Sequence, residues 1–350
     1  MKIDKFHDEF GIQRNPSRSP STQAEPNSVL KSEGEGKEDL VLSKQEQKEY
    51  RSGTAVLLHM MRWSRVETMN AVRECSRFMT SARNSHMKAL KRIMQYVCGT
   101  RDRGLFLKPS KWWDGKISYN GRFEFEVNGK SDSEYAKDES RHSVNGWSTW
   151  IFNCCVTNRS KMMPVIALSV TEAELYAAVQ CAQDLIFIWR LLLSLGLEVK
   201  LPMILEIDNR GAFDFINGWS VSGRCRHIEV KQYFLRELKE AGIIKMKWTK
   251  GEEMTSDIFT KNLSVAPFEK HGSRFYGEDQ YYEAKNTKDG QETNQDGIVG
   301  STRTTSGLEG ADHAAAATNI AVPIISLDDA RKEYNYYQEV FGSLIEAPNK

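Results

Sequence analysis

Apolar residues recur at helical spacing from about Tyr50, so helices are expected over 54–63, 66–79 and 85–97. In the last of these, Met87, Leu90, Ile93 (or Met94) and Val97 form a stripe, with Lys88, Lys91 and Arg92 off it. Asn84 or Ser85 fits the N-cap. The basic face reads first as solvated surface. From residue 121 the period falls to two. Phe123, Phe125 and Val127 alternate with Arg122, Glu124 and Glu126, as a half-buried strand requires. Strands over 143–153 and roughly 160–168 follow across short polar turns and suggest an antiparallel meander.

A long helix is then expected over about 170–195, with Leu175, Ala178, Ala182, Leu185, Trp189 and Leu192 on one face. Ser169 and Glu172 have the N-cap and N3 spacing of a capping box. MILEID (203–208) reads as a buried strand, 210–217 as a short helix and 227–241 as a charged helix. IIKMKWT (243–249) is a strand with Ile244, Met246 and Trp248 on one side, and 255–262 is a short final helix. Three meander strands followed by strands reached through helical crossovers imply an α/β fold, a mixed five-stranded sheet with flanking helices.

The ends differ from this pattern. Residues 11–48 and 277–322 are polar, with few apolar anchors, and are expected to be disordered. Residues 326–342 have Leu327, Ala330, Tyr334, Tyr337 and Val340 at the spacing of one helix. At 350 residues the chain allows about two domains besides such ends. The net charge of +1 gives no global argument for nucleic acid, so any basic surface must be local. Six cysteines without a CxxC pair or Cys/His ligand spacing read as reduced thiols. The N-terminus is too charged for a signal peptide, and the most apolar run, residues 185–197, contains Arg190 and is too short to span a bilayer. An intracellular protein, nuclear or cytoplasmic, is expected, with no membrane partner and no small-molecule cofactor.

Candidate chemistry rests on four carboxylates at the edges of four elements: Asp132, Glu174, Asp208 and Asp257. Each has an ordinary explanation. Asp132 suits a turn after the first strand, with Glu134 close enough to be confused with it. Asp208 could cap the helix that follows, and Asp257 could offset a helix dipole. Glu174 is different. Glu172 is the capping-box partner, and Glu174 points about 200° away around the helix, so it is the freer group. Four such carboxylates converging on one point would repel one another unless cations bound there. Two divalent ions held that way can promote phosphodiester hydrolysis.

These motifs, in this order, resemble the ribonuclease H domain of retroelement polyproteins, those of the copia-type LTR retrotransposons above all. SDSEYAKD (131–138) resembles the family's S/T-D-A-D-W-A-G-D, and RHSVNGW (141–147) its R-x-S-T-S-G-Y strand. RSKMMPVIALSVTEAELYAA (159–178) is similar to S-S-K-x-Q-x-x-V-A-L-S-S-T-E-A-E-Y-x-A, and IDNRGA (207–212) to C-D-N-x-x-A. RCRHIEVKQYFLRE (224–237) resembles R-T-K-H-I-D-V-R-Y-H-F-I-R-E, and EEMTSDIFTKNL (252–263) resembles E-x-Q-x-A-D-I-L-T-K-x-L. Upstream, YRS (50–52), SRFM (76–79), His86 and KRIMQYVCGTRDRGL (91–105) resemble the end of the reverse transcriptase of the same polyproteins. The chain departs from the pattern at Glu134, usually aspartate, at Lys137, usually glycine, and at Asn158, where a tryptophan is usual.

The resemblance implies a ribonuclease H-like domain over 118–265. It would be preceded by a helical remnant of the reverse transcriptase thumb or connection over 49–109, between a linker (1–48) and a tail (277–350). Asp132, Glu174, Asp208 and Asp257 would then hold two Mg²⁺ ions, or Mn²⁺, and cut the RNA strand of an RNA–DNA hybrid. Lys161, Asn209, Arg210, Arg224, Arg226, His227, Lys231 and Lys250 are candidate nucleic-acid contacts. His227 suits a locally bonded helix histidine equally well. Other polyprotein segments would be partners, within a virus-like particle if the element is active. No Tyr-x-Asp-Asp motif occurs, so no DNA synthesis is expected from this chain alone. Two competing readings are a catalytically silent relic that binds nucleic acid or serves as a scaffold, and another enzyme on the same fold, such as an integrase or exonuclease.

Overall fold

The computed structural model describes residues 2–12, 19–33, 36, 39–107, 124–218 and 229–276. Arg224, Arg226 and His227 lie outside them, as do all of the tail from 277 and its expected helix. The centre is a five-stranded sheet. The strands are β2 (Val127–Glu134), β3 (Val144–Ile151), β4 (Cys154–Met162), β6 (Met203–Ile207) and β7 (Ile244–Trp248). Their spatial order is β4-β3-β2-β6-β7. The first three pair antiparallel, and β6 and β7 join parallel to β2. The crossovers are α5 (Val170–Ser194), then α6 (Arg210–Asn217) and α7 (Glu229–Glu240). This is the mixed sheet with flanking helices that the periodicity implies.

The first strand differs from expectation. Phe123 lies outside the described residues; of the rest of the alternation, Glu124–Phe125 forms β1, which pairs with β5 (Glu198–Val199) in a separate two-stranded sheet, and Val127 begins β2. The main strand is the polar stretch after it, VNGKSDSE, whose apolar signal is weak because glycine and serine fill its inward positions. Gly129 lies against α5 so closely that a Cβ there would meet Cys181 Sγ at 2.5 Å. A side chain at that position would hold the helix off the sheet. Asp132 therefore sits within a strand, opposite Gly146, rather than in a turn.

One face of the sheet packs on α5, through Leu175, Ala178, Cys181, Ala182 and Leu185. By length and composition α5 is apolar enough to cross a membrane, but these residues are buried against the sheet. The other face carries α8 (Asp257–Thr260) and α9 (Val265–Tyr276). Sequence periodicity did not single out α9. It is held by Phe268 and Phe275, the latter 5.1 Å from the Trp150 ring.

The helical unit consists of α2 (Lys44–Trp63), a 3-10 turn at Val66–Thr68, α3 (Met69–Ser76) and α4 (Asn84–Gly99). Its core is continuous with that second face: Leu57, Val72, Leu90 and Val97 belong to the same buried cluster as Trp150, Phe259 and Phe268. The upstream segment takes part too. The linker expected over 1–48, with its disorder expected over 11–48, begins with α1 (Lys2–Phe10), whose Ile3 and Phe6 enter this core. Asn27 N–H donates to the Asn262 carbonyl at 2.7 Å. A few well-placed apolar groups suffice because the surface that receives them is already formed, which composition alone does not reveal. Asn84 is the first residue of α4 rather than its cap, and Asp39 instead accepts from Ser85 N–H at 2.8 Å.

Candidate active site

The site forms where the parallel strands β2 and β6 end. Their last paired residues are Lys130 and Glu206, and two residues beyond each come Asp132 and Asp208. Parallel register thus delivers two carboxylates side by side at the carboxyl edge of the sheet, the usual location of ligands in α/β folds. The third arrives from the first turn of α5. Ser169 Oγ accepts from Glu172 N–H at 3.1 Å, and Glu172 Oε2 accepts from Leu168 N–H at 2.7 Å. The capping work falls to Glu172 and leaves Glu174 aimed inward. A parallel division occurs one element later. Asn209 Oδ1 accepts from Ala212 N–H at 2.8 Å and caps α6, so Asp208 is not the cap.

Oxygens of Asp132, Glu174 and Asp208 lie within 4.8 Å of one another. Asp132 is 1% exposed and Glu174 3%. Glu174 accepts a backbone hydrogen bond from Ser133, while its Oε2 is buried without a hydrogen-bond partner. Burial, then the charges of Asp132 and Asp208, push the Glu174 carboxyl well above the usual range. Burial and Asp132 raise Asp208 to about 6. A buried carboxylate oxygen with no donor, facing two further carboxylates, suits a hard divalent cation, which prefers oxygen ligands.

Asp257 is not part of that close triad. It is tied to it through Lys261, whose Nζ is 3.1 Å from Asp257 Oδ1 and 3.4 Å from Asp132 Oδ1. Burial and Asp132 raise Asp257 to about 8. Burial opposes the Lys261 charge, but Asp132 and Asp257 more than offset it and hold the ammonium above its ordinary range. Thr260 Oγ1 donates to the other Asp132 oxygen. Glu134 stays at the margin, paired with Lys137 at 3.1 Å and 3.9 Å from Lys261. Lys261 and Thr260 were not singled out from the sequence. The available signal was the i,i+4 spacing of Asp257 and Lys261 on a helix.

Gly146 allows α8 to approach. A Cβ there would lie 2.7 Å from Thr260 Cγ2, 2.8 Å from Phe259 Cβ and 3.0 Å from the Ser256 carbonyl. Gly146→Ala is expected to cost about 1–3 kcal/mol, as overpacked cores do, and to push α8 away from Asp132. A drop in denaturant midpoint at unchanged slope checks it.

Of the basic and polar candidates, Asn209 and Arg210 follow the end of β6, and Lys250 follows the end of the neighbouring β7. Arg210 pairs with Asp214 at 3.2 Å and lies 5.9 Å from the centre of the half-exposed Trp248 ring. Lys231 sits 5.0 Å over the Tyr176 ring beside the start of α5. Lys161 is exposed near the end of β4.

No family model matches the chain. Its relatives include retrovirus-related Pol polyproteins. The one from transposon RE1 of Arabidopsis thaliana is 27% identical over 227 residues, 65% of this chain and 15% of that protein. The one from transposon TNT 1-94 of Nicotiana tabacum is 27% identical over 221 residues, 63% of this chain and 16% of that protein. The chain thus spans a small fraction of the length of these relatives. Among solved structures, the N-terminal RNase H domain of rv2228c from Mycobacterium tuberculosis, as a fusion with maltose-binding protein, aligns at 12% identity and TM-score 0.28. The alignment covers 47% of this chain and 99% of that one. The sheet order and its three-antiparallel, two-parallel division define a ribonuclease H-like fold. The chain is related to retrovirus-related Pol polyproteins.

Proposed function

We propose that this chain is the ribonuclease H portion of a retroelement polyprotein and hydrolyses the RNA strand of RNA–DNA hybrids. The observation that carries this reading is the triad of Asp132, Glu174 and Asp208 at the carboxyl edge of the sheet, with Glu174 Oε2 left unpartnered. Asp132, Glu174, Asp208 and Asp257 would hold two Mg²⁺ or Mn²⁺ ions. Such ions, when bound, activate water and stabilise the charge that develops on the departing oxygen. The cut adds water across the P–O3′ bond. The water oxygen bonds to phosphorus, the 3′ oxygen leaves and takes up a proton, and the products carry a 5′-phosphate and a 3′-hydroxyl.

The chain's own residues do the positioning. Parallel register fixes Asp132 and Asp208, the cap of α5 orients Glu174, and Thr260 fixes one oxygen of Asp132. Asn209, whose side-chain oxygen is used in capping, retains an amide that can donate to a 2′-hydroxyl. Arg210, Lys161, Lys231 and Lys250 would contact phosphates, together with Arg224, Arg226 and His227 from the segment outside the described residues. The five described cysteines are buried and form no disulfide, in keeping with action inside the cell. Cleavage of a labelled hybrid in Mg²⁺ tests the reading, with Asp208→Asn as the control. Undiminished cutting by that variant would remove the triad from the chemistry.

A catalytically silent relic that binds nucleic acid or serves as a scaffold is the second reading. Metal-dependent stabilisation without cleavage would favour it.

A further inference from the structure

Lys261 occupies a position where a cation is expected. Its Nζ lies between Asp132 Oδ1 and Asp257 Oδ1, at 3.4 and 3.1 Å, with Glu134 Oε2 at 3.9 Å. The side chain is held there. Asp257 and Lys261 are one helical turn apart, and the next residue, Asn262, is pinned from three directions. Its side chain accepts from Asn70 Nδ2 at 2.9 Å and donates to the Ser28 carbonyl at 2.9 Å, and its own carbonyl accepts from Asn27 N–H at 2.7 Å.

The two ends of the quartet therefore differ. At the Asp257 end the Asp132 and Asp257 oxygens already face an ammonium. At the Glu174 end a buried oxygen has no partner. Charge makes the same division. Four carboxylates against one ammonium leave three formal negative charges, and one divalent ion reduces that to one. A second ion, with the lysine in place and no substrate phosphate present, would give the pocket a net positive charge.

We propose that Lys261 is a tethered cation occupying the place of a second divalent ion. Before nucleic acid arrives, the site would then take up one ion only, at Asp132, Glu174 and Asp208. The second ion enters the Asp257 end only when the lysine is displaced, which the substrate's phosphate charge makes favourable. The order of metal loading is thereby built into the chain: one ion first, the other with substrate. This inference rests on the metal-dependent reading above.

Isothermal titration of the full chain with Mn²⁺, without nucleic acid, tests it, with thermal melting in parallel. The wild-type chain is expected to bind one Mn²⁺ and Lys261→Gln two. Lys261→Arg, which keeps the charge, is expected to bind one. In chelator, Lys261→Gln is expected to melt below wild type, because Asp132 and Asp257 lose their counter-ion, and Mn²⁺ is expected to restore it. Two ions on the wild-type chain, two on Lys261→Arg, or one on a folded Lys261→Gln would overturn the proposal. If Lys261→Gln fails to fold, the wild-type and Lys261→Arg counts still decide. Absence of any uptake by wild type, or uptake unaffected by Asp208→Asn, overturns the metal reading itself. The two failures are therefore distinguishable.

Discussion

Glu174→Gln is expected to abolish hybrid cleavage and at the same time to make the metal-free chain more stable. The loss follows from removing the carboxylate whose Oε2 has no protein partner. A metal's share of transition-state stabilisation is several kcal/mol, so the rate is expected to fall by at least about a thousandfold. The gain in stability has the same origin. Burial and the charges of Asp132 and Asp208 already penalise the ionised Glu174. A glutamine keeps the shape, removes one of the repelling charges and can donate its amide to a neighbouring carboxylate. Each kcal/mol relieved corresponds to a melting shift of about 2–4 °C for a domain of roughly 150–250 residues. A variant that lost activity and melted lower in chelator would place Glu174 in an ordinary structural role.

The second large effect is a reversal of pH dependence by metal. Asp208 and Asp257 have folded-state pKa values raised to about 6 and about 8. A raised carboxyl stabilises the fold below its unfolded value and loses that contribution as pH rises through its folded value. Stability of the metal-free chain is therefore expected to fall as pH rises from about 4 through about 8, on the order of 2–3 kcal/mol for the Asp208 contribution alone. Saturating Mg²⁺ binds the ionised forms, so the fall should flatten or invert, and metal affinity should rise across the same window. The difference between wild type and Asp208→Asn isolates the Asp208 contribution from other titrating groups. Identical pH profiles for the two in chelator would remove Asp208 from the coupled cluster.

Much of this site was legible in the sequence because the local rules are strict. The capping spacing of Ser169 and Glu172 released Glu174, and Asn209 released Asp208 in the same way, although that second division emerged only from the structure. Asp132 was expected in a turn and lies within a strand. The inward positions of its strand include Gly129, which admits α5, and Ser131 and Ser133, so the strand carries little period-two apolar signal. The seating of α8 was not legible either. It depends on Gly146 in β3, on Asn70 from the helical unit and on Ser28 from the upstream segment, partners separated from it by more than a hundred residues. For the same reason α1 and α9 escaped notice: both are ordered by a surface formed from distant parts of the chain. Lys261 was visible as a letter in a motif but not as a charge. Only the distances to Asp132 and Asp257 make it part of the site.

The central claim is tested most directly by incubating the wild-type chain with an RNA–DNA hybrid labelled on both strands, in Mg²⁺. The expected result is that the RNA is shortened to fragments bearing 5′-phosphate and 3′-hydroxyl ends while the DNA strand stays intact. Chelator and Asp132→Asn should each stop the reaction. An intact RNA strand, from a chain that Mg²⁺ nonetheless stabilises against heat, would contradict the claim and leave a folded relic that binds metal without cutting.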